Sequence, residues 1–186
     1  MWQAMLLAIS SNLDDLTIAF SLGLKEDVLT LRNMLIIAII SGLTMGAGIQ
    51  LGNIFSVILM ETVEKFISFL VFSGFGIWFI IEGIRDDSGV EYKAVKKYTS
   101  KNTNGRSILS AVGLGLVLGI GSLALGFSGG LGRFPLLFTS IMTTVSSFLF
   151  LWMGIYLGEN LSRIVGKYGH YAAGVILLLL GFYELM

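Results

Sequence analysis

The chain has 186 residues, of which 55% are hydrophobic and 13% are charged, and its formal net charge is zero. Because soluble domains carry about 25% charged residues, this composition indicates an integral membrane protein, and the neutral net charge argues against nucleic acid as a partner. The absence of cysteine and the single histidine, His170, exclude disulfides, iron–sulfur clusters, thiolate metal sites and multi-histidine metal sites. We expect the lipid bilayer as a partner and no tightly bound cofactor.

Apolar segments recur along the whole chain. Six of them approach the roughly 20 residues that a helix needs to cross the hydrocarbon core of a bilayer. They are residues 3–23, 33–53, 64–84, 107–128, 134–157 and 169–186. The predicted fold is therefore an all-α integral membrane protein with six transmembrane helices. Residues 54–62 leave two interpretations open, because they could extend the second helix or lie along the membrane interface.

A short internal repeat relates the two halves of the chain. The sequence IQLGN at 49–53 ends the second span, and IYLGEN at 155–160 ends the fifth. Likewise Glu82 ends the third span and Glu184 ends the sixth. Each half then has an odd number of spans, so the halves run in opposite directions through the membrane. Such an inverted repeat is common among secondary transporters, whose binding site lies near the midplane between the halves.

The repeat and the charge distribution predict domains and orientation. Residues 1–84 form the first three-helix repeat, residues 107–186 form the second, and the polar segment 85–106 joins them. Of the twelve Lys and Arg residues, only Lys65 and Arg133 lie in the second and fourth loops. By the positive-inside rule, we expect a cell-membrane protein with the 85–106 loop in the cytoplasm and both termini outside.

Asp14 and Asp15 lie side by side in the middle of the first span. A carboxylate at the centre of a transmembrane helix costs about 2.5–3.5 kcal/mol on the insertion scale. Such residues face the protein interior or a water-filled cavity and mark sites for cations or protons. The alternative is structural: the two carboxylates could hydrogen-bond to neighbouring groups and hold helices together.

On one continuous helix, four polar residues of the first span share a stripe, because they are spaced by four, three and four residues. They are Ser10, Asp14, Thr17 and Ser21. Asn12 and Asp15 flank this stripe. The spacing therefore favours Asp14 as the carboxylate that faces the axis of the bundle.

Small and hydroxyl-bearing residues form stripes on two other spans. The second span carries Ser41, Thr44, Gly48 and Gly52, and the fifth carries Ser140, Thr144 and Ser147. Close packing of helix backbones is the favoured interpretation. Hydroxyls such as those of Thr44 and Thr144 could also complete the coordination of an ion held by Asp14. The chain contains several GxxxG pairs. Because such pairs also occur where helices of two chains pack together, a homodimer is an open alternative.

The fourth span carries eight glycines between positions 113 and 132. Glycine weakens a helix, so this span could break and offer carbonyl oxygens to a cation, or it could pack closely against the first helix. Glu82 and Glu184 are predicted near opposite membrane faces. They could act as gate residues of a symmetric path, or their side chains could simply reach water.

The motif Asn12-Leu13-Asp14, followed by FSLGLK at 20–25, resembles the first signature of the MntP manganese-efflux family. The similarity is closer still to the YtaF-like sporulation branch of that family. Three later segments also fit: IEG at 81–83, PLL at 135–137 and LG at 157–158. The resemblance implies six spans in an inverted three-plus-three arrangement, outward termini, and one intramembrane Asp in each half to handle the cation.

Three positions depart from the family pattern. The second Asp is expected at position 121, where this chain has Gly121. Asn12 replaces the family's Ser, and Asp15 stands at a position that is usually small or Asn. Mn²⁺ is a hard ion that prefers oxygen ligands, and a dication with one carboxylate keeps an uncompensated charge in a low-dielectric interior. We hypothesise that Asp15 replaces the missing acid.

The predicted function is a secondary transporter that exports Mn²⁺ or a related divalent cation as its substrate. The predicted ligands of the cation are Asp14, Asp15, Asn12, Ser21, Thr44 and Thr144. The alternative is a non-transporting, sporulation-type membrane protein that acts as a scaffold or assembly partner. A transporter of another small solute is less favoured, since no buried Arg or Lys is expected that could hold a carboxylate. An enzyme is not expected, because the spans carry no nucleophile–base pair.

Overall fold

The computed structural model describes residues 2–23, 29–85, 108–158 and 175–183, and every regular element within these ranges is an α-helix. The helices are α1 (Trp2–Ser10), α2 (Leu13–Gly23), α3 (Leu31–Ser56), α4 (Glu61–Arg85), α5 (Ile108–Leu131), α6 (Leu136–Gly158) and α7 (175–183). The predicted all-helical class is confirmed. The predicted 85–106 loop beyond Arg85 and His170 lie outside the described residues.

Three helices of the described ranges are long and apolar enough to cross a membrane. They are Leu31–Ser56, Ala111–Leu131 and Leu136–Leu157. Residues 54–56 extend the second span and do not form a separate interfacial segment, because α3 continues to Ser56. A turn then leads into α4 at Glu61. These apolar helices identify a membrane protein.

The first span is not one continuous helix. The α1 helix ends at Ser10 and α2 begins at Leu13, with a turn at Ser11 and Asn12 between them. The Ser10 hydroxyl donates to the Leu6 carbonyl at 2.8 Å. Serine hydroxyls compete for backbone carbonyls in this way and help to satisfy those that a helix end releases. The first span therefore does not follow the one continuous helix on which the predicted stripe of polar residues was based.

The glycine-rich fourth span, in contrast, is the unbroken helix α5. A Cβ atom added at Gly126 would lie 2.5 Å from the carbonyl oxygen of Met45 on α3, and one at Gly48 would lie 2.8 Å from the backbone nitrogen of Phe127. Only glycine permits the two backbones to approach so closely. Of the two alternatives for this span, the break does not occur and close packing does. The main packing partner is α3, although Gly129 also lies against Leu7 of α1.

The interior is layered along the helix axes. One apolar cluster, the Leu114 cluster, consists of Ile18, Ala19, Leu29, Met34, Ile37, Ala111, Leu114, Leu118, Leu151 and Ile155. The other, the Phe72 cluster, consists of Ala4, Leu7, Met45, Ile49, Phe72, Leu125, Phe134, Leu177 and Leu180. On the first span, α3, α5 and α6, buried polar residues lie between the two clusters in chain order. Eight of them, which we call the polar layer, are Asn12, Asp14, Asp15, Ser41, Ser122, Thr143, Ser146 and Ser147.

Candidate functional site

Asp14 and Asp15 lie in the first turn of α2, directly after the break in the first span. Both are buried, with 3% and 1% of their surface exposed. The backbone N–H of Asp15 donates to Oδ1 of Asp14 at 2.9 Å. The N-terminus of a helix carries a partial positive charge and unsatisfied N–H groups, which favour nearby carboxylates. The break thus supplies a local reason for two acids to be tolerated inside a membrane span.

Asp15 is tied to the fifth span. Its Oδ2 accepts a hydrogen bond from the hydroxyl of Ser147 on α6. A hydrogen bond to an ionised carboxylate is stronger than one between neutral groups. A continuous helix would place Asp15 beside the inward-facing stripe. Since α2 starts anew at Leu13, the phase changes there, and both carboxylates are buried inside the protein.

Asn12 holds the break against α6. Its side-chain amide nitrogen donates to the carbonyl oxygens of Ala8 at 2.9 Å and Thr143 at 3.0 Å and to the hydroxyl of Ser146 at 2.7 Å. The Ser146 hydroxyl in turn donates to the Ala8 carbonyl at 2.9 Å. In a membrane every backbone polar group must be satisfied by protein. Asn12 and Ser146 therefore both donate to the Ala8 carbonyl, which the break leaves without its helical donor. They also join the first span to α6.

The predicted ligands Thr44 and Thr144 lie at contacts between helices. The Thr44 hydroxyl donates to the carbonyl of Ile40 at 3.0 Å and packs against Gly119, while the Thr144 hydroxyl donates to the carbonyl of Ser140 at 3.0 Å. The missing side chain of Gly42 makes room for Thr144. These contacts fit the interpretation of close packing. Cation ligation by Thr44 and Thr144 stays a prediction.

Other predicted residues fall partly outside the structural description. The side chains of Ser21 and Glu82, and all of Glu184, lie outside the described residues. At Gly121, where the family resemblance predicts the second acid, an added Cβ atom would meet no heavy atom within 4 Å. A side chain could therefore be accommodated at position 121, where this chain has glycine.

Two polar residues of the site were not predicted as functional. Thr143 and Ser146 are both contacted by Asn12, yet the helical spacing predicted only their neighbours Thr144 and Ser147 on α6. The available signal was the two pairs of hydroxyl-bearing residues at 143–144 and 146–147, which only Val145 separates. Without the position of Asn12, the helical spacing could not distinguish which of these side chains face the first span.

The site has few charged groups for its depth. Within the described ranges, no group of three or more His, Cys, Asp or Glu side chains could hold a metal ion. A cation between the two apolar clusters would therefore be bound by the carboxylates of Asp14 and Asp15 together with neutral oxygens. Hard divalent ions such as Mg²⁺, Ca²⁺ and Mn²⁺ accept such all-oxygen surroundings.

Comparison with known proteins agrees with these features. Residues 57–185 match the MntP family model, which is described as "Putative manganese efflux pump". The "Putative manganese efflux pump MntP" of Methanoregula boonei (strain DSM 21154 / JCM 14090 / 6A8) is 25% identical over 181 residues, which cover 95% of this chain and 91% of that protein. The "Probable sporulation protein YtaF" of Bacillus subtilis (strain 168) is 24% identical over an alignment of 206 positions, which covers 97% of this chain and 97% of that protein.

No solved structure matches the chain significantly. The family description is that of a transporter and not of an enzyme. The resemblance found in the sequence, to MntP and to YtaF, is confirmed by both relatives. Because the family model covers more than half of the residues, the chain belongs to the MntP family of membrane proteins.

Proposed function

We propose that the chain is a secondary transporter that exports Mn²⁺ or a related divalent cation, bound at Asp14 and Asp15. The observation that carries this proposal is the pair of buried carboxylates at the break in the first span. Membrane transporters use discontinuous helices in this way to build ion sites at the midplane. The family and the Methanoregula relative, both described as manganese efflux pumps, support the same cargo.

Charge balance favours a divalent ion. Two ionised carboxylates carry a charge of −2, which a dication cancels, whereas an isolated ion in a low-dielectric interior is strongly disfavoured. The Leu114 and Phe72 clusters lie on either side of the polar layer and separate it from both ends of the bundle. Such an arrangement corresponds to an occluded site that must open alternately to each side.

Alternating access fits the proposed six-span inverted repeat. In such a repeat, a two-fold axis exchanges the first span with the fourth and the second with the fifth. The extensive contact of α3 with α5 would then be the counterpart of the contact between the first span and α6. The distribution of Lys and Arg supports a cytoplasmic 85–106 loop and outward termini.

Flux measurements in proteoliposomes test the proposal. Asp14→Asn and Asp15→Asn each keep the size of the side chain and remove its charge. We expect both to abolish Mn²⁺ flux, because one carboxylate leaves a dication uncompensated. Glu64→Gln is the matched control, since Glu64 is a buried carboxylate of α4 at 4% exposure, outside the polar layer, and this variant should retain flux. Undiminished flux in Asp15→Asn would show that Asp15 does not replace the missing second acid.

The YtaF relative favours a second candidate, a membrane scaffold that transports nothing. Deleting the gene and challenging the cells with excess Mn²⁺ separates the two functions. A transporter predicts lower tolerance and higher cellular manganese after deletion. Unchanged tolerance together with unchanged cellular manganese would instead support the scaffold.

A further inference from the structure

Two buried oxygens close to the carboxylates lack a hydrogen-bond partner among the described residues. They are Oδ1 of Asn12 and the hydroxyl oxygen of Thr143, and both residues have 0% of their surface exposed. Folded proteins leave few buried polar atoms unpaired, because each costs about 1–3 kcal/mol. Eight buried side-chain oxygens of the described residues lack such a partner, and these two are distinguished because their residues join the break in the first span to α6.

The two residues that carry these oxygens are in direct contact. The Asn12 amide nitrogen donates to the backbone carbonyl of Thr143 at 3.0 Å. Its other acceptors include the Ala8 carbonyl at 2.9 Å. Carbonyl oxygens can only accept hydrogen bonds, so the amide must present its nitrogen to them. The network thereby fixes the orientation of the amide and leaves its oxygen for another partner.

Thr143 differs from the other threonines of these helices. Thr44, Thr139 and Thr144 each donate to the carbonyl four residues earlier, at 3.0, 2.8 and 3.0 Å. This back-bonding is the usual way in which a threonine inside a helix satisfies its hydroxyl. Thr143 does not make such a bond. Its hydroxyl oxygen remains available to a ligand.

Both oxygens are close to the two acids. Thr143 and Ser147 are four residues apart on α6, so they are neighbours on one face, with about 5–6 Å between their Cβ atoms. Ser147 donates to Asp15, and Asn12 precedes Asp14 by two residues at the break. The neutral oxygens and the carboxylates therefore belong to one wall of the polar layer.

We infer that Oδ1 of Asn12 and the hydroxyl oxygen of Thr143 are neutral ligands of the divalent cation bound by Asp14 and Asp15. This inference rests on the proposed function and extends its ligand set to α6. Two carboxylates balance the charge of the cation, and the amide and hydroxyl oxygens add coordination without adding charge. Hard cations such as Mn²⁺ use carboxylate and carbonyl oxygens of this kind.

Calorimetric titration of the detergent-purified full chain with Mn²⁺ tests the inference. Thr143→Val removes the hydroxyl and keeps the shape of the side chain, so we expect the affinity for Mn²⁺ to fall at least about tenfold, as losses near metal sites do. Thr143→Ser keeps the hydroxyl and should bind nearly as the wild type does. Thr139→Val is the matched control, because Thr139 is buried one turn earlier on α6 and its hydroxyl bonds to the Pro135 carbonyl.

Three outcomes would overturn the inference. If Thr143→Val binds Mn²⁺ like the wild type and only Asp15→Asn loses binding, the proposed function stands and Thr143 is not a ligand; a buried water molecule would then satisfy its hydroxyl. Equal losses in Thr143→Val and Thr139→Val would indicate a packing effect. If the wild-type chain itself does not bind Mn²⁺, the proposed function fails as well.

Discussion

The interior is held together by two helix contacts of opposite character. Between α3 and α5 the backbones touch, because glycines such as Gly48 and Gly126 remove the side chains that would separate them. Between the first span and α6 the contact consists of hydrogen bonds, from Asn12 to the Thr143 carbonyl and from Ser147 to Asp15. One contact is apolar and close; the other is polar and includes charge.

The difference separates a structural role from a functional one. Backbone-to-backbone packing depends on shape alone and has no alternative partner, so we expect α3 and α5 to move as one body. The polar contact consists of groups that can exchange their partner for a cation or water. Changes that depend on the cation should therefore occur between the first span and α6.

The largest expected effect comes from the glycine contact. Gly126→Ala would place a Cβ atom 2.5 Å from the Met45 carbonyl, and such overpacking costs about 1–3 kcal/mol. We expect a clearly lower Tm in detergent and a lower yield of folded protein. Gly121→Ala on the same helix is the control. Its Cβ atom would meet nothing within 4 Å, and alanine favours a helix over glycine by about 0.5–1 kcal/mol, so its Tm should not fall.

A loss of stability of similar size is expected at the break. Asn12→Leu removes the three hydrogen bonds that the amide donates and leaves the Thr143 carbonyl without one of its donors. The expected loss of stability is about 1–3 kcal/mol, measured as a fall in Tm. Thr44→Val serves as the comparison, because that hydroxyl bonds only within its own helix and its loss should be nearly neutral. Equal Tm values for Asn12→Leu and Thr44→Val would contradict the role of Asn12 in holding the break against α6.

The smallest effect separates two adjacent serines of α6. Ser147 bonds to a carboxylate, whereas Ser146 bonds to the Ala8 carbonyl and receives the Asn12 amide. We expect Ser147→Ala to weaken Mn²⁺ binding a few-fold and to lower Tm, because it leaves a buried carboxylate without this donor. Ser146→Ala should lower Tm by an amount that corresponds to about 0.5–1.5 kcal/mol and leave the affinity for Mn²⁺ nearly unchanged. A loss of affinity for Mn²⁺ in Ser146→Ala and none in Ser147→Ala would show that cation binding does not depend on the hydrogen bond from Ser147 to Asp15.

Apolar segments of membrane length were sufficient to predict most helices. The second span, predicted over 33–53, is the helix Leu31–Ser56, and the fifth, predicted over 134–157, is Leu136–Gly158. This accuracy has a physical reason, since a bilayer requires about 20 apolar residues in each helical crossing. The same reasoning selected the acids of the first span as a candidate site, because charge inside such a segment is costly.

The local path of the backbone was harder to predict. Eight glycines suggested a break in the fourth span, yet close contact with α3 stabilises an unbroken helix there. The actual break lies at Ser11 and Asn12, where side chains that bond to backbone carbonyls replace helical hydrogen bonds. The bond from Ser147 to Asp15 joins residues 132 positions apart, and no local pattern in the sequence indicates such a pairing.

Anomalous scattering from crystals soaked in Mn²⁺ tests the central claim most directly. We predict one strong peak inside the bundle, within coordination distance of a carboxylate oxygen of Asp14 and one of Asp15, and the loss of this peak in the Asp15→Asn variant. A peak confined to the surface of the protein, or an interior peak that persists unchanged without the Asp15 carboxylate, would contradict the claim that this pair binds the transported ion.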